Sequence, residues 1–155
     1  MNIALNINQF DIDNIYFCDP IKNNIVNDGL FIRLIYSTDY FVTNGINLCI
    51  PLNEVYIEKF YNKYKCSFNL NINKNIIEQI QMIEESILNN INIESKTIQP
   101  TIYDQIKNGN IKIFSENIDN IDKTNSHLFI LKISGIWETD TQIGLTFKFC
   151  KINQC

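Results

Sequence analysis

Apolar and polar residues alternate through much of the first 50 positions, the pattern of half-buried β-strands. The stretch DIDNIYFCDPIKNN (11–24) runs into an Asn-rich turn. NDGLFIRLIYS (27–37) opens on the turn signal Asn27-Asp28-Gly29 and sets Leu30, Ile32, Leu34 and Tyr36 on one face. In TNGINLCIP (43–51), Asn44-Gly45 can supply positive φ before Ile46, Leu48 and Ile50 alternate, and Pro51 limits further pairing. Two strands with a loop around 37–44 are predicted. Residues 54–72 are ambiguous: Val55, Ile57, Phe60, Tyr61 and Tyr64 suit a short helix, whereas CSFNLNI alternates like a strand.

The period changes at NKNIIEQIQMIEESILNNI (73–91). Ile76, Ile77, Ile80, Ile83, Ile87, Leu88 and Ile91 recur at three- and four-residue steps, which predicts a helix packed on a sheet. Asn75 is a candidate N-cap with Glu78 in capping-box position, and Glu84 and Glu85 fall on or near the polar side. A polar stretch (92–110) ends in the turn signal KNGN before the short strand IKIF (111–114), and 116–127 reads as a polar loop. The C-terminal third is clearest. LFILKISGIW (128–137) and QIGLTFKFC (142–150) alternate around ETDT (138–141) and predict a hairpin. Phe129, Leu131, Ile133 and Trp137 share one face of the first strand; Ile143, Leu145, Phe147 and Phe149 share one of the second. Gly135 and Gly144 mark candidate bulges or close backbone contacts, and a bulge at Gly135 would turn Trp137 over. The prediction is one α+β domain over 1–155: mainly antiparallel β, an OB-like barrel or curled sheet, with one prominent packed helix.

Composition narrows the function classes more than it selects one. At 155 residues the chain can bury a real core. It is 45% hydrophobic and 19% charged, which excludes a disordered chain. About thirty Ile and about two dozen Asn reflect A/T-rich codons, so Asn is not taken as a functional signal. No run reaches membrane-span length and no leader is recognisable, so a soluble protein is expected. Five scattered cysteines without a C-x-x-C motif fit a reducing location. With His127 as the sole histidine, read as an exposed loop residue, neither a His-rich metal site nor a Cys–His nucleophile is expected. The acidic pairs Asp11/Asp13, Glu84/Glu85, Asp119/Asp122 and Glu138/Asp140 read as solvated charge. No enzyme, cofactor or metal is expected.

The basic residues are placed differently. Net charge is −4, yet Arg33, Lys112, Lys132 and Lys148 interrupt predicted strands, each opposite its apolar neighbours. On a shared sheet they would form a basic outer stripe able to track a phosphate backbone, with Tyr36 and Trp137 as candidates for base stacking. Strict alternation puts both aromatics on the other face. The alternative is that outward lysines keep strands soluble and block edge pairing.

Three stretches, LFIRLIYSTDYFVTNGINLCIP (30–51), IKNGNIKIF (106–114) and ILKISGIWETDTQIGLTFKF (130–149), together resemble a protein family of the nucleocytoplasmic large DNA viruses (giant viruses). The most specific wording is Gly-Ile-Trp before the turn and Gly-Leu-Thr-Phe-Lys after it. Such proteins are distantly similar to viral and phage single-stranded DNA-binding proteins with an OB-like barrel. The resemblance implies a non-enzymatic protein binding single-stranded nucleic acid, with viral replication or virion proteins as further partners, located in host cytoplasm or virion. The chain ends FCKINQC rather than in an acidic tail, so tail-mediated contact with replication enzymes is not expected. The rival expectation is a virion structural or protein-interaction module without nucleic-acid binding.

Overall fold

In the computed structural model, residues 3–22, 29–92, 94–114 and 126–151 are described. The strands follow the alternating segments: β1 (Leu5–Asn6), β2 (Ile15–Phe17), β3 (Ile21–Lys22), β4 (Leu30–Ser37), β5 (Val42–Asn44) and β6 (Ile46–Asn53). Then come β7 (Val55–Phe60), β8 (Lys63–Phe68), helix α1 (Lys74–Ile91), β9 (Thr97–Gln99) and a short helix α2 (Thr101–Ile106). Strands β10 (Asn110–Phe114), β11 (Ser126–Glu138) and β12 (Gln142–Lys151) complete the described chain. The turn signal at 27–28, the loop at 116–125 and Cys155 lie outside the described residues.

The architecture is α+β, with mostly antiparallel strands in one mixed sheet. Its path runs β1-β6-β11-β12-β10-β8-β7, and β4 joins at β11, carrying β2, β3 and β5. Parallel pairing occurs between β1 and β6, β10 and β12, and β9 and β12. The expected OB-like barrel or curled sheet is not what forms. β1 pairs with β6 and β7 with β8, and the two ends of the path do not meet, so the sheet stays open.

The predicted hairpin is present, with β11 and β12 in register from Phe129–Lys151 to Glu138–Ile143. Its loop is tied by the Thr139 N–H to the Gln142 carbonyl at 2.9 Å and by the Gln142 N–H to Thr139 Oγ1 at 3.0 Å. One edge of β11 changes partner. β6 covers it up to Ile133 and β4 from Gly135 onward, and the register to β12 slips at the same point. Residues 54–72, ambiguous in sequence, form the β7–β8 hairpin, with Tyr61 at positive φ in the turn. Pro51 lies within β6, opposite Leu128, and the strand continues to Asn53.

The core lies between one face of the sheet and the helices. From α1 it takes Ile77, Ile80, Ile83, Ile87 and Leu88. The helix begins one residue earlier than the proposed cap Asn75. Asn73 occupies the cap position, but its buried side chain faces the end of β6 instead. It accepts from the Asn53 N–H at 2.9 Å and donates to the Asn53 carbonyl at 2.9 Å. His127 is buried in β11 beside the Phe129 ring rather than in an exposed loop. Burial pushes the Cys66 thiol up to about 12, against a smaller downward pull from Lys151. It is therefore a protonated core thiol at neutral pH.

Glu84 departs furthest from its expected solvated place. It is 1% exposed, and its two oxygens accept the N–H groups of Ile102 at 2.8 Å and Tyr103 at 3.0 Å. Pro100 offers no side-chain cap to α2, so a carboxylate from α1 satisfies its first donors. Burial raises the Glu84 pKa; the two backbone donors pull it back in part, while Asp104 and Glu85 push it up.

We expect Glu84→Ala to cost about 2–6 kcal/mol, because two donors lose their acceptor at roughly 1–3 kcal/mol each. The raised pKa also sets a sign. The folded chain holds this proton more tightly than the unfolded chain, so its stabilising contribution is largest at low pH. That contribution is lost as pH rises from the ordinary carboxylate value through the raised one. Urea unfolding across this window should show stability falling with pH more steeply in wild type than in Glu84→Gln. Parallel curves would contradict the assignment.

Candidate nucleic-acid interface

The face of the sheet away from the core carries the basic residues. Cross-strand partners share a face, so the register locates them. Lys132 on β11 lies opposite Lys148 on β12, and Lys112 on β10 lies opposite Lys65 on β8. Ile113 pairs with Phe149 in the parallel β10–β12 ladder, and one step back along both strands sets Lys112 beside Lys148. Four lysines therefore form a row across four adjacent strands: Lys132, Lys148, Lys112, Lys65. At the usual strand spacing the row spans about 14 Å.

The row has distinct ends and flanks. Asn47 on β6 stands beside Lys132, and Glu58 on β7 beside Lys65. One pleat away on one side lie Cys49, Ile130 and Cys150, a mildly apolar strip, with Lys63 and Phe60 in line with it on β8 and β7. On the other side, Arg33, Gly135 and Thr146 align across β4, β11 and β12. Among the described strand residues of this face, Arg33, Lys63, Lys65, Lys112, Lys132 and Lys148 are the cations and Glu58 is the carboxylate. This is a strongly positive surface on a chain of net charge −4.

Among the described residues these cations also form no ion pair. Elsewhere Lys74 meets Glu78, Lys107 meets Asp104, and Lys96 meets Glu94 and Glu138. Arg33 and the four lysines of the row take no hydrogen bond or ion pair among the described residues. Lys132 is half-buried, whereas Arg33, Lys112 and Lys148 are exposed.

The two aromatic candidates separate. Tyr36 is 1% exposed, and its ring stacks between Phe10 and Phe41 with centroids 6.1 and 6.4 Å away. Its hydroxyl accepts from the Asp11 N–H at 3.0 Å and from Asn14 Nδ2 at 3.3 Å, which pins the N-terminal segment to β4. Tyr36 is a core residue and has no face to offer a base. Trp137 moves the other way. The register slip between Ile133 and Gly135 changes the phase of the pleat, so Ile136 turns to the core and Trp137 to the basic side. Its indole lies on Gly144, where an added Cβ would come within 2.4 Å of the ring. Trp137 is half-buried and lies beyond Arg33, at the end of the face away from Lys65.

Lys65, Lys63 and the exposed Tyr56 and Phe60 were missed in the sequence because the β7–β8 segment looked partly helical. The signal was present: Lys63, Lys65 and Ser67 alternate with the buried Tyr64, Cys66 and Phe68. Among the described residues no group of side chains suits a metal ion, and no helix is long and apolar enough to cross a membrane. Comparison with protein-family models, curated proteins and solved structures finds no match for this chain.

Like charges directly opposite one another destabilise a sheet. Lys148→Gln is therefore expected to raise stability by roughly 0.2–1 kcal/mol at low ionic strength. Salt should erase the gain as it screens the repulsion. Thermal unfolding at two salt concentrations reads this, and a salt-independent loss of stability would show that Lys148 serves packing.

Proposed function

We propose that this protein is a non-enzymatic binder of single-stranded nucleic acid that takes the phosphate backbone on the lysine row. The observation that carries this reading is the row itself: Lys132, Lys148, Lys112 and Lys65 in line across four strands, none in an ion pair among the described residues. Lysines that protect a sheet from aggregation belong on its edges. β11, β12, β10 and β8 are interior strands, already paired on both sides. In that position the row cannot serve to block edge pairing and carries a repulsive cost, which a polyanion would remove. The apolar strip of Cys49, Ile130 and Cys150 runs beside the row, where bases can lie while phosphates engage the ammonium groups. The resemblance of 30–51, 106–114 and 130–149 to giant-virus proteins supports the same reading, and with it a role at the single strands exposed in viral DNA replication.

Salt dependence tests it. For a single strand, log affinity falls with log salt at a slope of about −0.7 per phosphate neutralised. The row should therefore give a slope near −3 with a labelled oligonucleotide. Lys132→Ala with Lys148→Ala should reduce its magnitude by roughly 1.4, and Lys65→Ala alone by roughly 0.7. Lys74→Ala, exposed on α1 and paired with Glu78, should leave it unchanged. Absence of wild-type binding to DNA or RNA at low salt would overturn the proposal.

A further inference from the structure

Resting on that reading, we infer that Glu58, set between Tyr56 and Phe60 at the β7 end of the lysine row, selects bases that carry an exocyclic amine.

The three residues alternate along β7 and share the basic face: Tyr56 lies opposite Ser67, Glu58 opposite Lys65, and Phe60 opposite Lys63. Tyr56 is 66% and Phe60 45% exposed, large aromatic surfaces held in water at the sheet edge. Each lies about 7 Å from Glu58 along the strand, within reach of a base stacked on either ring. Glu58 makes no hydrogen bond or ion pair among the described residues, although Lys65 is its cross-strand neighbour. Among the described strand residues of this face it is also the carboxylate, beside six cations. A phosphate is repelled there, so the backbone ends its track at Lys65 and a base faces Glu58.

A carboxylate only accepts hydrogen bonds. The 4-amino group of cytosine and the 6-amino group of adenine can donate to it. Thymine presents its O4 carbonyl at the same position, and two acceptors repel. The aromatic neighbours supply sequence-tolerant stacking, and the carboxylate adds discrimination.

The test measures affinity and salt slope for short labelled deoxycytidine and deoxythymidine oligomers, two weakly self-stacking pyrimidines, at slightly alkaline pH. Wild type should favour deoxycytidine by about fivefold or more. Glu58→Gln, whose amide both donates and accepts, should bring the two affinities within about twofold while keeping the salt slope. Tyr56→Ala with Phe60→Ala should weaken both oligomers by about tenfold or more at an unchanged slope. Equal wild-type affinities, or a preference that survives Glu58→Gln, would overturn this inference and leave the phosphate-binding row standing. No binding of either oligomer would remove the proposed function itself. Should the double aromatic variant not fold, Glu58→Gln alone decides.

Discussion

Strand β11 has to satisfy two different neighbours along one edge while its other edge stays paired with β12. β6 covers it up to Ile133 and β4 takes over at Gly135, and a strand of unbroken pleat cannot present the right face to both. The extra residue at this point resolves the conflict. It lets Ile133 and Ile136, three apart rather than two, both reach the core. The close approach of β4 then leaves no room for a side chain at Gly135: an added Cβ would stand 2.4 Å from the Ile32 carbonyl oxygen and 2.7 Å from the Phe31 ring. The same slip sends Trp137 outward, onto the backbone at Gly144. Core continuity, the branching of β4 and the outer position of the indole thus follow from one irregularity.

That irregularity stops short of the lysine row, which lies on the regular part of the ladder. Lys132 precedes the slip and faces Lys148 through undisturbed register, and Lys112 faces Lys65 in the same way. Regular pleating therefore holds the ammonium groups in line at strand spacing, a density at which they repel one another. Every contact that fixes the strands, from the isoleucines of α1 to the Asn73 bracket at the end of β6, indirectly maintains that repulsion. On the proposed reading, sheet packing keeps the row preformed for a polyanion, so little ordering of the protein backbone would be needed when one docks.

What the sequence revealed depended on whether one period dominated a window. The β11–β12 hairpin and α1 were legible because alternation or three-and-four spacing runs uninterrupted through them. Two features were not, for different reasons. Val55, Ile57, Phe60, Tyr61 and Tyr64 mimic a helical stripe only because a turn at Tyr61–Asn62 shifts the phase between two strands. Reading across the turn hid Lys65 and with it one member of the row. Glu84 reads as a polar-side residue because carboxylates usually remain in water. Only the position of α2, which has no cap of its own, shows why this one is buried. Tyr36 is the reverse case: it lies near a strand end, where a ligand could reach it, yet its own alternation places it in the core.

Net charge is a poor guide to such a molecule. Summed over the chain it is −4, and this alone argues against a nucleic-acid partner. Fields from exposed charges, however, fade over about 8 Å at physiological ionic strength. A strand lying on the row senses ammonium groups at contact distance, whereas acidic groups on the helical side lie beyond the thickness of the sheet and its core. On the proposed reading the acidic remainder has a consequence of its own: it disfavours contact anywhere except the basic face. A nucleic acid then meets the protein in one orientation, with its backbone across the strands and its bases over Ile130 and Cys150 or out towards the aromatic edge at β7. On the proposed reading, gathering six cations on one face of an acidic chain would do what a uniformly basic surface cannot, because it would confine binding to the side that carries the row.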